Sequence, residues 1–306
     1  MMSGHSRQRA AGMLAGALLL TATACGSGTA AAPRGAPQVL AAIYPLQWLT
    51  EQVGGPDLTV KSLTAAGVEP HDLELGPQQM ADLEDATLTV YIKGVQPAVD
   101  EAVAEDSSFD AATAVSTIPA GEHEEHEGGE AAHEHEVSYD PHIWLDPSRF
   151  ATVATKLGER LAAADPAHAQ GYKDRAATTA AALTTLDQEF TKGLAGCSAK
   201  TMITAHEAFG YLADRYKLKQ VGITLDPESE PSPARIAEVA ELAKAEKVTT
   251  VFTETLVSPK VAEVLAGEAG ARTAVLDPLE SKPAGDYLSA MRGNLQTLKT
   301  ALGCTS

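Results

Sequence analysis

The feature that most constrains this chain is a helical stretch that opens at Asp165-Pro166 and continues to about Lys192 with no further proline, placing Leu183, Leu186 and Phe190 on one side. The Asp165 carboxylate suits an N-cap and the proline suits the first turn. Some 26 helical residues would span roughly 39 Å, longer than most globular helices and enough to run the length of a two-lobed molecule. On either side, short apolar runs alternate with segments of helical spacing. Before it, 39–45, 58–63 and 88–92 read as strands, and 46–53, 78–84 and 146–163 as helices. After it, strands are expected at 202–204, 220–225, 248–253 and 273–276, between helices over 208–216, 233–245, 259–269 and 287–302. Such alternation gives parallel sheets covered by helices. The expected fold class is α/β: two lobes with parallel-type sheets flanked by helices, joined by one long rigid helix. The expected boundaries are an N-terminal lobe at 38–166, the linking helix at 167–194 and a C-terminal lobe at 195–306. No internal sequence repeat is visible.

At 306 residues and 44% apolar content the chain can bury a sizeable core, and two domains is the natural expectation. Its 41 acidic residues against 23 basic ones give a formal charge of −18. Such a surface repels phosphate backbones and anionic lipid, which counts against nucleic acid as a partner and favours cations. Arg7 and Arg9 precede an apolar run, Ala10 to Leu20, that ends in Thr-Ala-Thr-Ala-Cys. This reads as a bacterial export signal at 1–24, too short to span a bilayer. Ala22-Thr23-Ala24 suits ordinary cleavage, and directly before Cys25 it also has the form of a lipobox, whose cysteine becomes acylated. The preferred expectation is a lipoprotein anchored to the outer face of the cell membrane through Cys25, with 25–37 as a flexible tether. The alternative is a freely secreted or periplasmic protein carrying a spare thiol. Lipidation of Cys25 leaves Cys197 and Cys304, an even pair in an oxidising compartment, expected as a disulfide. Two buried free thiols are the alternative.

The stretch GEHEEHEGGEAAHEHE at 121–136 has no large apolar residue and is expected to be a solvated, His-rich loop. Its His123, His126, His133 and His135 are candidate secondary zinc ligands, weaker than a prearranged site because a floppy segment loses entropy on chelation. His168, at the polar start of the long helix, reads as a surface residue. The other candidates, His71, His142 and His206, each sit where a strand or turn hands over to the next element. In open α/β sheets, ligands collect in the crevice outside the carboxyl ends of strands. His206 follows the 202–204 strand directly, and Asp277 follows the 273–276 strand in the same way. Any one of these histidines alone is more often a cap or a core residue. Three such positions and a carboxylate, in a chain with few other histidines, weaken that reading.

The segment VEPHDLELGP at 68–77 resembles the first metal-ligand segment of the cluster A-I substrate-binding proteins of zinc and manganese ABC transporters. DPHIWLDP at 140–147 resembles their second, TAHEAFGY at 204–211 their third and VLDPL at 275–279 their fourth. The match covers nearly all of 38–302, in order, and includes the acidic His-rich insertion. The resemblance implies a metal held in the cleft between the lobes, with His71 and His142 from the N-terminal lobe and His206 and Asp277 from the C-terminal one. The chemistry agrees, since Zn2+ is usually four-coordinate and takes imidazole nitrogen and carboxylate oxygen at ~2.0–2.2 Å. Manganese-preferring relatives usually carry a carboxylate at the place of His206, so a third imidazole favours zinc over Mn2+. Glu254, ending the 248–253 strand, points toward the same crevice and is expected to support the ligands. Glu74 is expected to be structural.

The implied function is that of an extracytoplasmic solute-binding protein, a monomer, that captures Zn2+ with high affinity and delivers it to the permease of an ABC-type importer. A manganese-type receptor of the same family is the near alternative. A zinc hydrolase is the alternative from another class, because three histidines and a water also make a catalytic set. Catalysis needs an open coordination position and a general base, and neither remains if Asp277 fills the fourth place. The sequence also lacks an HExxH helix and a Gly-x-Ser-x-Gly elbow, so no enzymatic activity is expected. A surface adhesin is compatible with a lipoprotein but has no sequence mark.

Overall fold

Two four-stranded sheets, each wholly parallel, carry the apolar runs of the sequence. The computed structural model of the chain describes residues 35–120 and 137–305. The expected signal segment, Cys25, nearly all of the tether, and the stretch bearing His123, His126, His133 and His135 lie outside the described residues.

The first sheet contains β1 (Gln38–Ala41), β2 (Thr59–Ser62), β3 (Leu88–Tyr91) and β4 (Ser108–Asp110), in the order β2-β1-β3-β4. Helices α1 (Tyr44–Gly54), α2 (Pro77–Asp85) and α3 (Pro97–Ala102) connect them. The second sheet contains β5 (Thr201–Thr204), β6 (Lys219–Gly222), β7 (Thr250–Thr253) and β8 (Arg272–Val275), in the order β6-β5-β7-β8. Its helices are α6 (Gly210–Tyr216), α7 (Pro233–Ala245) and α8 (Lys260–Ala269). The two orders are the same, so the topology repeats although the sequence does not. In each sheet the order reverses beside the first strand, which opens a crevice at the carboxyl ends. The central strands β5 and β7 are buried throughout, while the edge strand β2 alternates exposed and half-buried residues, as parallel sheets require.

Between the sheets run α4 (Pro147–Ala164) and α5 (Ala169–Leu194). Asp146 caps α4 by accepting from the Ser148 and Arg149 amides at 2.8 and 3.3 Å. The helix expected to begin at Asp165 starts instead with a single 3-10 turn, Pro166–His168, followed by the 26 residues of α5. One continuous apolar core extends from Val39 of β1 through Leu183, Leu186 and Phe190 of α5 to Leu298 of α9 (Tyr287–Ala301). Polar clamps fasten α5 on both sides. Arg175 donates to the Val53 and Gly54 carbonyls at 2.9 and 2.6 Å and to Asp57 at 2.7 Å. Asp187 accepts from Arg215 at 2.9 and 2.8 Å and from the Tyr216 hydroxyl at 3.1 Å. The Trp48 and Phe150 rings pack on Tyr287 of α9 with centroids 4.8 and 5.1 Å away. A disulfide joins Cys197 to Cys304. No described helix is long and apolar enough to cross a membrane.

Candidate metal centre

The switch point of the second sheet makes half of the site. Because β5 and β7 are neighbours, the residues just past their ends meet: His206 after β5 and Glu254 after β7. Glu254 accepts from the His206 backbone amide at 3.1 Å, and its other oxygen lies 2.6 Å from Nδ1 of the same residue. The segment after β4 repeats this device. Asp140 Oδ1 accepts from the His142 amide at 2.9 Å and lies 2.8 Å from its Nδ1. Each carboxylate thus fixes an imidazole so that Nε2 is the free nitrogen, the support that metal-bound histidines commonly have. Both Nε2 atoms are buried without a hydrogen-bond partner. An unsatisfied buried nitrogen is costly unless something else takes its lone pair.

What they face is Glu280, on the segment between β8 and α9. Its Oε1 lies 3.2 Å from His71 Nε2, 3.4 Å from His142 Nε2 and 3.6 Å from His206 Nε2. His71, His142, His206 and Glu280 each offer a donor atom within 4.8 Å of the others, the one such group among the described residues. Bonds of ~2.0–2.1 Å around a tetrahedral Zn2+ require donors about 3.3 Å apart, so the measured carboxylate–imidazole spacings fit that ion. His142, His206 and Glu280 are almost fully buried, whereas the His71 side chain keeps 15% exposure.

The charges are mutually arranged. Burial pushes the Glu280 carboxyl up, but the three imidazoles outweigh it and hold the group well below the usual carboxylate range. Burial opposes a charged His206, yet Glu254 and Glu280 together raise it well above an ordinary histidine. His142 is raised too, with burial overcome by Asp140 and Glu280. His71 has no such carboxylate behind its ring and burial lowers it. Glu69, half-buried near Glu280, is pushed up to about 8 by burial first and Glu280 second.

The three expected histidines therefore come together, and Glu254 stands behind His206. Asp277 does not join them: the expected fourth position is taken by Glu280, three residues further on. Glu280 lies one residue beyond the family-like segment 275–279, and Asp277, the carboxylate nearer the strand end, is not among the converging groups. Asp140 was also not anticipated, although its place two residues before His142 was visible in the sequence. His168 lies elsewhere, its Nδ1 2.6 Å from Asp165. Beside His71 and His142 lies a cavity of about 300 Å3, also lined by Tyr139, Asp140 and Glu207 and reaching Ala120 and Val137, the residues that flank 121–136.

The family model described as the periplasmic zinc-uptake complex component A, ZnuA, matches residues 39–301. The chain belongs to that family. Among curated relatives of this ZnuA-family chain, the zinc-binding lipoprotein AdcA of Streptococcus pneumoniae is 35% identical over 278 residues, 85% of this chain and 55% of the relative. The chain thus spans about half the length of the AdcA relatives. The high-affinity zinc uptake system protein ZnuA of Bacillus subtilis is 34% identical over 303 residues and is covered to 95%. Among solved structures, the Zn(II)-bound ZnuA-like domain of S. pneumoniae AdcA superposes with a TM-score of 0.73 at 31% identity, over 88% of this chain and 99% of that one. The laminin-binding adhesin Lmb of Streptococcus agalactiae gives 0.77 at 30% identity, over 86% and 98%.

Proposed function

We propose that this ZnuA-family chain is an extracytoplasmic receptor that captures Zn2+ as cargo through His71, His142, His206 and Glu280 and presents it to the permease of an ABC-type importer. The observation that carries the reading is the convergence of three imidazole Nε2 atoms on one buried carboxylate oxygen at 3.2, 3.4 and 3.6 Å. Three nitrogens and one oxygen suit borderline Zn2+ better than Mn2+, which prefers more oxygen. With a carboxylate in the fourth place no coordination position is left for an activated water, which argues for holding rather than hydrolysis. Export and a lipid anchor at Cys25 are part of this reading, supported by the lipobox-like Ala22-Thr23-Ala24-Cys25 and by the AdcA relative being named a lipoprotein. The residues flanking 121–136 border the cavity next to His71 and His142, which supports a role for the four histidines of that segment in collecting zinc.

Competitive titration against a chromophoric chelator tests the centre. His206→Ala is expected to lower zinc affinity by at least two orders of magnitude; wild-type affinity in that variant would reject the site. Deleting 121–136 is expected to lower total zinc stoichiometry while the tight site stays.

A further inference from the structure

The link between β8 and α9, residues 276–286, is braced at its start by a set of hydrogen bonds. Leu276 donates its amide to the Thr253 carbonyl at 2.9 Å, continuing the sheet by one residue. Asn294, a buried residue of α9, then grips Asp277 twice: it accepts from the Asp277 amide at 3.0 Å and donates to the Asp277 carbonyl at 2.6 Å. The Asp277 side chain folds forward, and its Oδ1 accepts from the Leu279 amide at 2.8 Å. From the opposite lobe the Trp144 indole donates to the Pro278 carbonyl at 2.7 Å. Leu279 itself is fully buried and sits at φ +63°, a left-handed conformation that a leucine adopts only when its surroundings impose it. The next residue is Glu280.

These observations share one outcome. An Asp whose carboxylate bonds the amide two residues on makes a local turn that needs no glycine. Here that turn reverses the chain over two residues and delivers the Glu280 carboxylate to three imidazoles. We propose that Asp277 is a positioning residue of the metal centre: held by Asn294, its Oδ1 locks Leu279 in the left-handed turn that aims Glu280 at His71, His142 and His206. This inference rests on the zinc-receptor reading above. It gives the carboxylate nearest the strand end a role other than coordination, since Asp277 is not among the four groups whose donor atoms converge.

Four single variants separate the roles: Asp277→Asn, Asp277→Ala, Asn294→Ala and Glu280→Gln. Each is checked for folding by circular dichroism, loaded with Zn2+ against a competing chelator, and loaded with Co2+ to read coordination geometry from its visible absorption. Asp277→Asn keeps an oxygen for the Leu279 amide, so zinc affinity within about threefold of wild type and an unchanged cobalt spectrum are expected. Asp277→Ala removes the acceptor, and a loss of ~10- to 100-fold with an altered spectrum is expected, the range typical of groups that orient ligands. Asn294→Ala leaves the carboxylate in place and should move affinity and spectrum in the same direction, which keeps the test alive if Asp277→Ala does not fold. Glu280→Gln should lose more than any of them. Asp277→Asn falling as far as Glu280→Gln, or Asp277→Ala and Asn294→Ala both behaving as wild type, would overturn the proposal while leaving the receptor reading standing. Failure of the wild-type protein to take up zinc would sink the receptor reading itself.

Discussion

His206 carries the clearest consequence at the scale of single residues. Coordination through its Nε2, as proposed above, would require the neutral ring, yet Glu254 and Glu280 raise the metal-free imidazole well above its ordinary value of about 6.5. The same carboxylates that orient the ring thus favour its protonated form, and zinc competes with that proton. Affinity should fall on acidification, and because His142 is raised as well, zinc loading should release protons. Calorimetric zinc titrations in two buffers of different ionisation enthalpy read this release directly; a release that does not depend on pH would contradict it. Glu254→Gln removes the main group raising His206, so it should shrink the release and move the pH dependence to lower pH. Three of the four converging groups were legible as sequence because His71, His142 and His206 lie in segments resembling the family's metal-ligand segments, and His206 also follows β5 directly. Glu280 was not, because Asp277 and Glu280 both follow β8, and a left-handed residue such as Leu279 between them leaves no mark in the sequence.

Among the elements, α4 and α5 pack closely along their length. A Cβ on Gly158 would lie 2.5 Å from the Ala176 Cβ and 3.3 Å from the Tyr172 carbonyl oxygen. Replacing glycine by alanine inside a helix ordinarily gains up to ~1 kcal/mol, whereas overpacking a tight contact costs ~1–3 kcal/mol. The clash should win, and Gly158→Ala is expected to lower the urea midpoint; a stabilised variant would show that the helices part easily. The Arg175 clamp gives a second expectation. Arg175→Ala leaves the Val53 and Gly54 carbonyls and Asp57 without that partner and should cost about 2 kcal/mol, measured by the same unfolding curve. The long helix and seven of the eight strands were legible from apolar runs and helix-start residues. β4 was not, because Ser108, Phe109 and Asp110 include one apolar residue and all three are half-buried at a sheet edge, which leaves no pattern.

On the scale of the molecule, the shared core means that the two sheets do not rest on separate foundations. Trp48, Phe150 and Tyr287 pack together, and Tyr287 also donates to the Trp144 carbonyl, which ties α9 to the segment that carries His142. Loosening one lobe should therefore weaken zinc binding even far from the ligands. The bond between Cys197 and Cys304 closes a span of 107 residues, and the chain-entropy model credits such a loop with roughly 4–5 kcal/mol. A Cys197→Ser/Cys304→Ser double variant should lose much of its urea resistance. While folded it should keep the tight zinc site, because neither cysteine is among the converging groups; loss of zinc from the folded double variant would tie the bridge to the centre. The same closure turns everything from β5 to α9 into a covalent ring, with the first sheet hanging from it as an open chain. A single protease cut inside the ring leaves both pieces travelling together on a gel run without reductant, whereas a cut before Cys197 separates them. Under a pulling force between the two termini, the first sheet can be drawn out to full extension, but the ring adds no more to the stretched length than the short bridge itself.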